Sequence, residues 1–138
     1  VSKSISVRSQ IRKLAKATRQ ELAPFIKKHK FRDDWECSCL VCSWLLTKVL
    51  RAHGYDAQLV SGWFFNFEHA FVMVGDLVVD ITATQFGLSP VWIQKQSKSH
   101  YRIEYNDYWT RREMSIWPKA QRPKTYKREL EAIYRRLR

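Results

Sequence analysis

The sequence predicts an α+β domain in which helices pack on an antiparallel sheet. Three observations predict it. Apolar residues recur at helical spacing near both ends and again at 39–53. Short runs rich in β-branched and aromatic residues lie between the second and third of these segments. One of those runs is divided by Gly75-Asp76, a two-residue hairpin signal that makes the pairing antiparallel.

The elements follow in order. Residues 4–30 read as a helix with Val7, Ile11, Leu14, Leu22 and Phe25 on one stripe and Lys and Arg around it. Pro24 is expected to break or kink it, because proline removes an amide donor and crowds the preceding turn. The segment 30–36 reads as a polar loop. Leu40, Val41, Trp44, Leu45, Val49 and Leu50 then define an apolar helix from Cys39 to His53. Ser38 is suited to cap its start and Gly54 to end it. Residues 56–65 read as a strand, 69–82 as the hairpin, and 91–95 and 100–106 as further strands. Pro118 and Pro123 mark a connector. In the last helix Tyr126, Leu130, Ile133, Tyr134 and Leu137 share a face opposite the arginines.

At 138 residues, 45% of them hydrophobic, the chain suits a single domain (1–138) with a real core rather than a disordered tail. No apolar run is long enough to span a bilayer, and the N-terminus lacks a charged-then-apolar signal pattern. The chain begins at Val1, which fits either a trimmed chain or a domain cut from a longer one, including a delivered effector domain.

Charge divides the chain into three. Residues 1–33 carry ten Lys/Arg against two acids, 34–93 carry two against six, and 94–138 carry thirteen against five. The reading is a basic N-terminal helical segment (1–33), a chemical core (34–93), and a segment that completes the sheet and adds a basic helix (94–138). The basic flanks attract polyanions, so an acidic protein or a nucleic acid is a possible partner. The net charge of +12 avoids the middle, where chemistry need not involve nucleic acid.

Cys37, Cys39 and Cys42 are an odd set, crowded within six positions, which fits thiols in the cytoplasm or another reducing compartment. Their C-x-C-x₂-C spacing lacks the separated knuckles of a zinc site, and a helix beginning at Cys39 would splay the ligands. A zinc nucleobase deaminase is excluded, because it needs His-x-Glu with its cysteines downstream. No metal or cofactor pattern is visible. His29, His53 and His100 sit in polar, basic or helix-end contexts that suit structural roles.

The hairpin carries the functional argument. With Gly75 and Asp76 as the turn, Val74 faces Leu77, Met73 faces Val78, Phe71 faces Asp80 and His69 faces Thr82. Ala70, Val72, Val74, Leu77, Val79 and Ile81 then form a wholly apolar face. His69 and Asp80 share the opposite face as diagonal neighbours, with Cβ atoms roughly 7 Å apart. A one-residue slip would separate them and mix polar with apolar. A carboxylate on a half-buried strand needs a partner, so the sequence specifies a His–Asp pair. Two readings remain for it: a structural pin, or a base and its orienting acid awaiting a nucleophile. Cys39 stands at a helix N-terminus, where the dipole favours a thiolate. Cys42 lies one turn further in as a packed core thiol, and Cys37 is a loop thiol.

The stretch "CLVCSWLLTKVLRAHGYDAQLVSGW" resembles the nucleophile segment of the transglutaminase-like (papain-like) cysteine enzyme superfamily, and "HAFVMVGDLVVDITATQF" is similar to its second block. The resemblance spans roughly 35–86. It implies a papain-like, transglutaminase-like fold with a nucleophile-bearing helix on an antiparallel sheet. It also implies a triad of Cys39, His69 and Asp80. The activity it implies is thiol-dependent hydrolysis or acyl transfer on peptide or protein amides, as in proteases, glutamine deamidases or transglutaminases. The backbone N–H of Cys39 would be the first oxyanion donor. The second is unassigned: Asp33, Asp34 and Trp35 stand where the papain branch has a glutamine. Trp35, Trp63 and Phe64 are candidates to wall a substrate cleft beside Cys39, with "FFNF" as its lip. The alternative reading is a basic binding module, for nucleic acid or an acidic partner, on an inactive scaffold of this kind.

Overall fold

A computed structural model describes residues 6–31, 35, 37–106 and 117–138. Asp33, Asp34 and part of the 30–36 loop lie outside the described residues. Three α-helices and a five-stranded antiparallel sheet are seen among the described residues. They are α1 (Val7–Lys28), α2 (Cys39–Ala52), β1 (Ala57–Phe64), β2 (Phe67–Val74), β3 (Leu77–Asp80), β4 (Trp92–Lys95), β5 (Tyr101–Asn106) and α3 (Lys127–Leu137). The sheet order is β4-β3-β2-β1-β5. No helix among the described residues is long and apolar enough to cross a membrane.

Helix α1 starts at a capped end, where the Ser6 side chain accepts from the Ser9 N–H at 3.1 Å. Ile11, Ala15, Thr18, Leu22, Phe25 and Ile26 are buried along it, while Val7, in its first turn, is exposed. Pro24 does not break it. The helix runs through to Lys28, and Phe25 and Ile26, just past the proline, are held in the core.

Helix α2 is the centre of the molecule. It packs on β1 and β2 on one side and on α1 and α3 on the other, so nearly all of it is buried. Leu40, Leu45, Leu46 and Leu50 are wholly excluded from solvent, and burial of each contributes about 1.5–3 kcal/mol. Gly54, at φ +90°, ends the helix. Its N–H bonds the Arg51 carbonyl at 3.0 Å, and the Tyr55 N–H bonds the Leu50 carbonyl at 3.0 Å, closing a Schellman turn. Ser38 holds the cap position but makes no capping bond. Its hydroxyl instead donates to the Trp35 carbonyl at 2.6 Å. The His53 ring lies 2.9 Å from the Leu137 carbonyl at the end of α3. His29 and Lys28 both meet Glu129, tying α1 to α3.

The hairpin register matches the sequence expectation: Val74 opposes Leu77, Met73 opposes Val78 and Val72 opposes Val79. Val72, Val79 and Ile81 belong to the core under the helices, and Val74 and Leu77 pack against it. The other face is buried too. Phe71, Met73 and Val78 pack with Val60, Phe64 and Tyr101 in a second cluster. That closure requires a strongly curved sheet. Tyr101 on β5 is three strands from Asp80 on β3, about 14 Å in a flat sheet at about 4.8 Å per step. Its hydroxyl nevertheless bonds the Asp80 carboxylate at 2.7 Å.

Gly62 makes the curvature possible. The β1–β5 register shifts between Ser61 and Gly62, and a Cβ at Gly62 would lie 2.0 Å from the Arg102 carbonyl oxygen. Backbone cannot yield as a side-chain tip can. Gly62→Ala is therefore expected to destabilise the fold by at least about 1–3 kcal/mol. Urea unfolding should show the lower midpoint; an unchanged midpoint would mean that β5 is not held by this close approach.

Candidate active site

Asp80 ends β3, opposite Trp92 of β4, and is completely buried. A buried carboxylate needs donors, and the fold supplies them from three elements. Oδ2 accepts from His69 Nε2–H at 2.7 Å and from the Tyr101 hydroxyl at 2.7 Å. Oδ1 accepts from the Thr82 N–H at 2.8 Å and the Thr82 hydroxyl at 3.0 Å. Burial works against the charge, but His69 and then the Tyr101 and Thr82 bonds outweigh it and hold the carboxyl below its ordinary value. Burial and the carboxylate together push the Tyr101 phenol up, so it stays a donor.

His69 is also fully buried. Its ring is packed edge-on against Phe86, with centroids 4.8 Å apart, and lies near Phe71. Burial opposes the imidazolium; the Asp80 carboxylate, and next Cys39, overcome this and raise the ring to about 10. With Nε2 committed to Asp80, Nδ1 has no well-formed partner. Cys39 is the thiol that, after Asp80, helps to raise the ring. A loosely aligned thiol–imidazole contact is common in a resting site without substrate.

Cys39 is the first residue of α2 and is 5% exposed. The loop before it is strained: Trp35 (φ +70°) and Cys37 (φ +71°) are non-glycine residues in the left-handed region. Such positions cost on the order of 1–3 kcal/mol each and cluster at functional sites. Ser38 holds the loop through the Trp35 carbonyl. Arg19 adds a clamp from α1, with its guanidinium 3.8 Å from the Trp35 ring centre and an N–H donated to the Ile81 carbonyl beside Asp80. Ser43, one turn along α2, donates to the Ala70 carbonyl at 3.1 Å and so fixes the helix against the residue after His69. Cys42 is wholly buried with its thiol 3.5 Å from the Ser38 hydroxyl, and burial pushes it up to about 12. It is a packing thiol. Cys37 is exposed.

A cleft of about 480 Å³ opens at Cys39. Phe64, Phe67, Phe86 and Trp117 give it aromatic walls, and Glu68 and Gln121 give it polar ones. Of the three aromatic residues expected from sequence to wall it, Phe64 does so. Trp35 instead lies under Arg19 and lines a separate groove with Arg12, Lys16 and Val91. Trp63 does not line the cleft but stands opposite Glu68 across the β1–β2 pair, its indole N–H bonded to Glu104 at 2.5 Å. Among the described residues no three His, Cys, Asp or Glu side chains converge to hold a metal ion.

No family model, curated protein or solved structure matches the chain.

Four contributors were not singled out from the sequence. Tyr101 had no local signal, since its role depends on sheet curvature. Thr82 was visible on the His69 face of the hairpin, and its place two residues after Asp80 is the signal that could have identified it as a donor. Phe86 and Trp117 reach the cleft from turns after β3 and before α3, positions that periodicity does not describe.

Proposed function

We propose that the chain is a thiol enzyme on a papain-like, transglutaminase-like scaffold, hydrolysing or transferring the acyl group of peptide or protein amides. The observation that carries this reading is the buried His69–Asp80 pair, whose remaining ring nitrogen is left over beside Cys39 at the mouth of α2. Asp80 orients the ring, and the four hydrogen bonds it accepts keep it ionised. Cys39 sulfur attacks the carbonyl carbon, forming a C–S bond as the carbonyl electron pair moves onto oxygen. The Cys39 N–H is one donor to that oxyanion. Gln85 spends its side-chain amide on Thr82, so the side-chain N–H groups left among the described cleft residues as candidates for the second donor belong to Trp117 and Gln121. Collapse breaks the C–N bond, and the imidazolium of His69 protonates the leaving amine. Water or an amine then adds to the acyl-enzyme, gives its proton to His69, and releases the Cys39 thiolate. Such a thiol works in a reducing compartment.

Intact-mass analysis of glutamine peptides, incubated with and without an added amine, tests the reading. A gain of about one dalton reports deamidation, a larger adduct transfer, and fragments proteolysis. Each product must vanish with Cys39→Ala; product formation that survives this change would remove the thiol from the mechanism.

One observation favours a second reading. Arg8, Arg12, Lys13 and Lys16 are exposed along α1, and no carboxylate pairs with them among the described residues. A basic module for nucleic acid or an acidic partner would bind polyanions with strong salt dependence and without regard to Cys39.

A further inference from the structure

The cleft at Cys39 differs in charge from the rest of the protein. Lys and Arg make up 25 of the 138 residues, yet none lines this cleft among the described residues. Among its described lining residues the one Asp, Glu, Lys or Arg is Glu68, which is exposed and has no hydrogen bond or ion pair among the described residues. Aromatic residues share the cleft with that carboxylate. Phe64 stacks on Phe86 with centroids 4.3 Å apart, Phe67 is 62% exposed, and Trp117 also lines the cleft. Trp63 faces Glu68 directly across the strand pair, with Cβ atoms about 5 Å apart. The hairpin tip that carries this wall is itself strained: Phe65 sits at φ +52° in the two-residue turn between Phe64 and Phe67, where glycine is the unstrained choice. Its backbone is held by His100 and Arg102, and its ring stacks on His100 at 4.1 Å.

A cleft walled by aromatic rings and carrying one unpaired carboxylate suits a cation. The ring quadrupoles attract positive charge, and the acid selects its sign. An anion entering here would meet Glu68 with no Lys or Arg among the described lining residues to offset it. We infer that the acyl donor is a basic peptide, with a lysine or arginine side chain that seats against Glu68 and the aromatic walls while the neighbouring amide reaches Cys39. This rests on the thiol-enzyme reading for the identity of the cleft as a substrate site. It deepens that reading by naming the substrate class. The basic helices then lie outside the recognition step, since they repel such a peptide.

The test measures binding on the Cys39→Ala chain, so that its result does not depend on turnover. Three fluorescent heptapeptides with a central glutamine are compared, flanked by lysine, by norleucine or by glutamate. Anisotropy is read at about 0.15 M salt, where the Debye length of about 8 Å screens the distant basic helices. The lysine peptide should bind at least about fivefold more tightly than the norleucine peptide, and the glutamate peptide most weakly. Glu68→Gln, an isosteric change at an exposed position, should abolish the lysine advantage and leave norleucine binding in place. Equal affinities, preference for glutamate, a lysine advantage that survives Glu68→Gln, or no binding by any of the three would each overturn the inference. Failure of Cys39 to react in the parent chain would instead overturn the enzyme reading, whatever the peptides do.

Discussion

Iodoacetamide at neutral pH will alkylate Cys39 at least about tenfold faster than Cys37, and Cys42 will not react in the folded protein. Exposure alone predicts a different order, because Cys37 is exposed while Cys39 and Cys42 are buried. The outcome therefore separates activation from access. Cys42 is sealed in the core with its thiol pushed up to about 12 by burial, so it offers almost no thiolate. Cys39 opens onto the cleft beside a ring that Asp80 keeps protonated and oriented. A paired acid–base group of this kind is worth about 10²–10⁴-fold in reactivity, which leaves room for incomplete exposure. His69→Ala should bring Cys39 down to or below the rate of Cys37. Peptide mapping of the labelled chain reads all three sites at once; labelling led by Cys37, or indifferent to His69, would remove the case for a nucleophile.

The second large effect is on stability and on activity together. Asp80→Asn should cost about 3–5 kcal/mol at mildly acid to neutral pH, because it leaves the buried ring without its counter-charge. Activity should fall by about 10³–10⁴-fold, since the amide no longer fixes the ring's tautomer. The pH dependence has a definite sign. The His69 pKa is raised from 6.5 to about 10, so its contribution is complete below 6.5 and fades as pH rises through about 10. The Asp80 pKa is lowered from 3.8, so its contribution is present above 3.8 and is lost as pH falls through its folded value. The stability gap between parent and Asp80→Asn should therefore be widest from about pH 4 to 6.5 and narrow on both sides. Urea titrations across pH read this directly. A gap that stays constant to pH 10 would mean that the pair is not ionised.

Much of the architecture was legible beforehand for local reasons. The hairpin register followed from alternation, because only one register gives a clean apolar face, and that register carries His69 and Asp80 together. The start of α2 at Cys39 and its end at Gly54 followed from an apolar helical pattern and a residue suited to positive φ. Other expectations failed where tertiary packing overrode local chemistry. Of the break or kink expected at Pro24, the break does not occur, and Phe25 and Ile26 are anchored in the core immediately after it. Ser38 does not cap α2 with its side chain, because the Trp35 carbonyl takes its hydroxyl. Trp35 itself is drawn under Arg19, away from the cleft.

The sequence by itself determined the elements, their antiparallel pairing and the His69–Asp80 pair, because these depend on neighbours along one strand, one helix turn or one hairpin. Only the tertiary structure decided that Tyr101 crosses a curved sheet to Asp80, that Arg19 joins the two arms of the site, and that Glu68 stands among aromatic walls beside Cys39. The Arg19–Ile81 bond alone joins residues 62 positions apart. Those juxtapositions arise from sheet curvature and helix docking, which no local periodicity encodes.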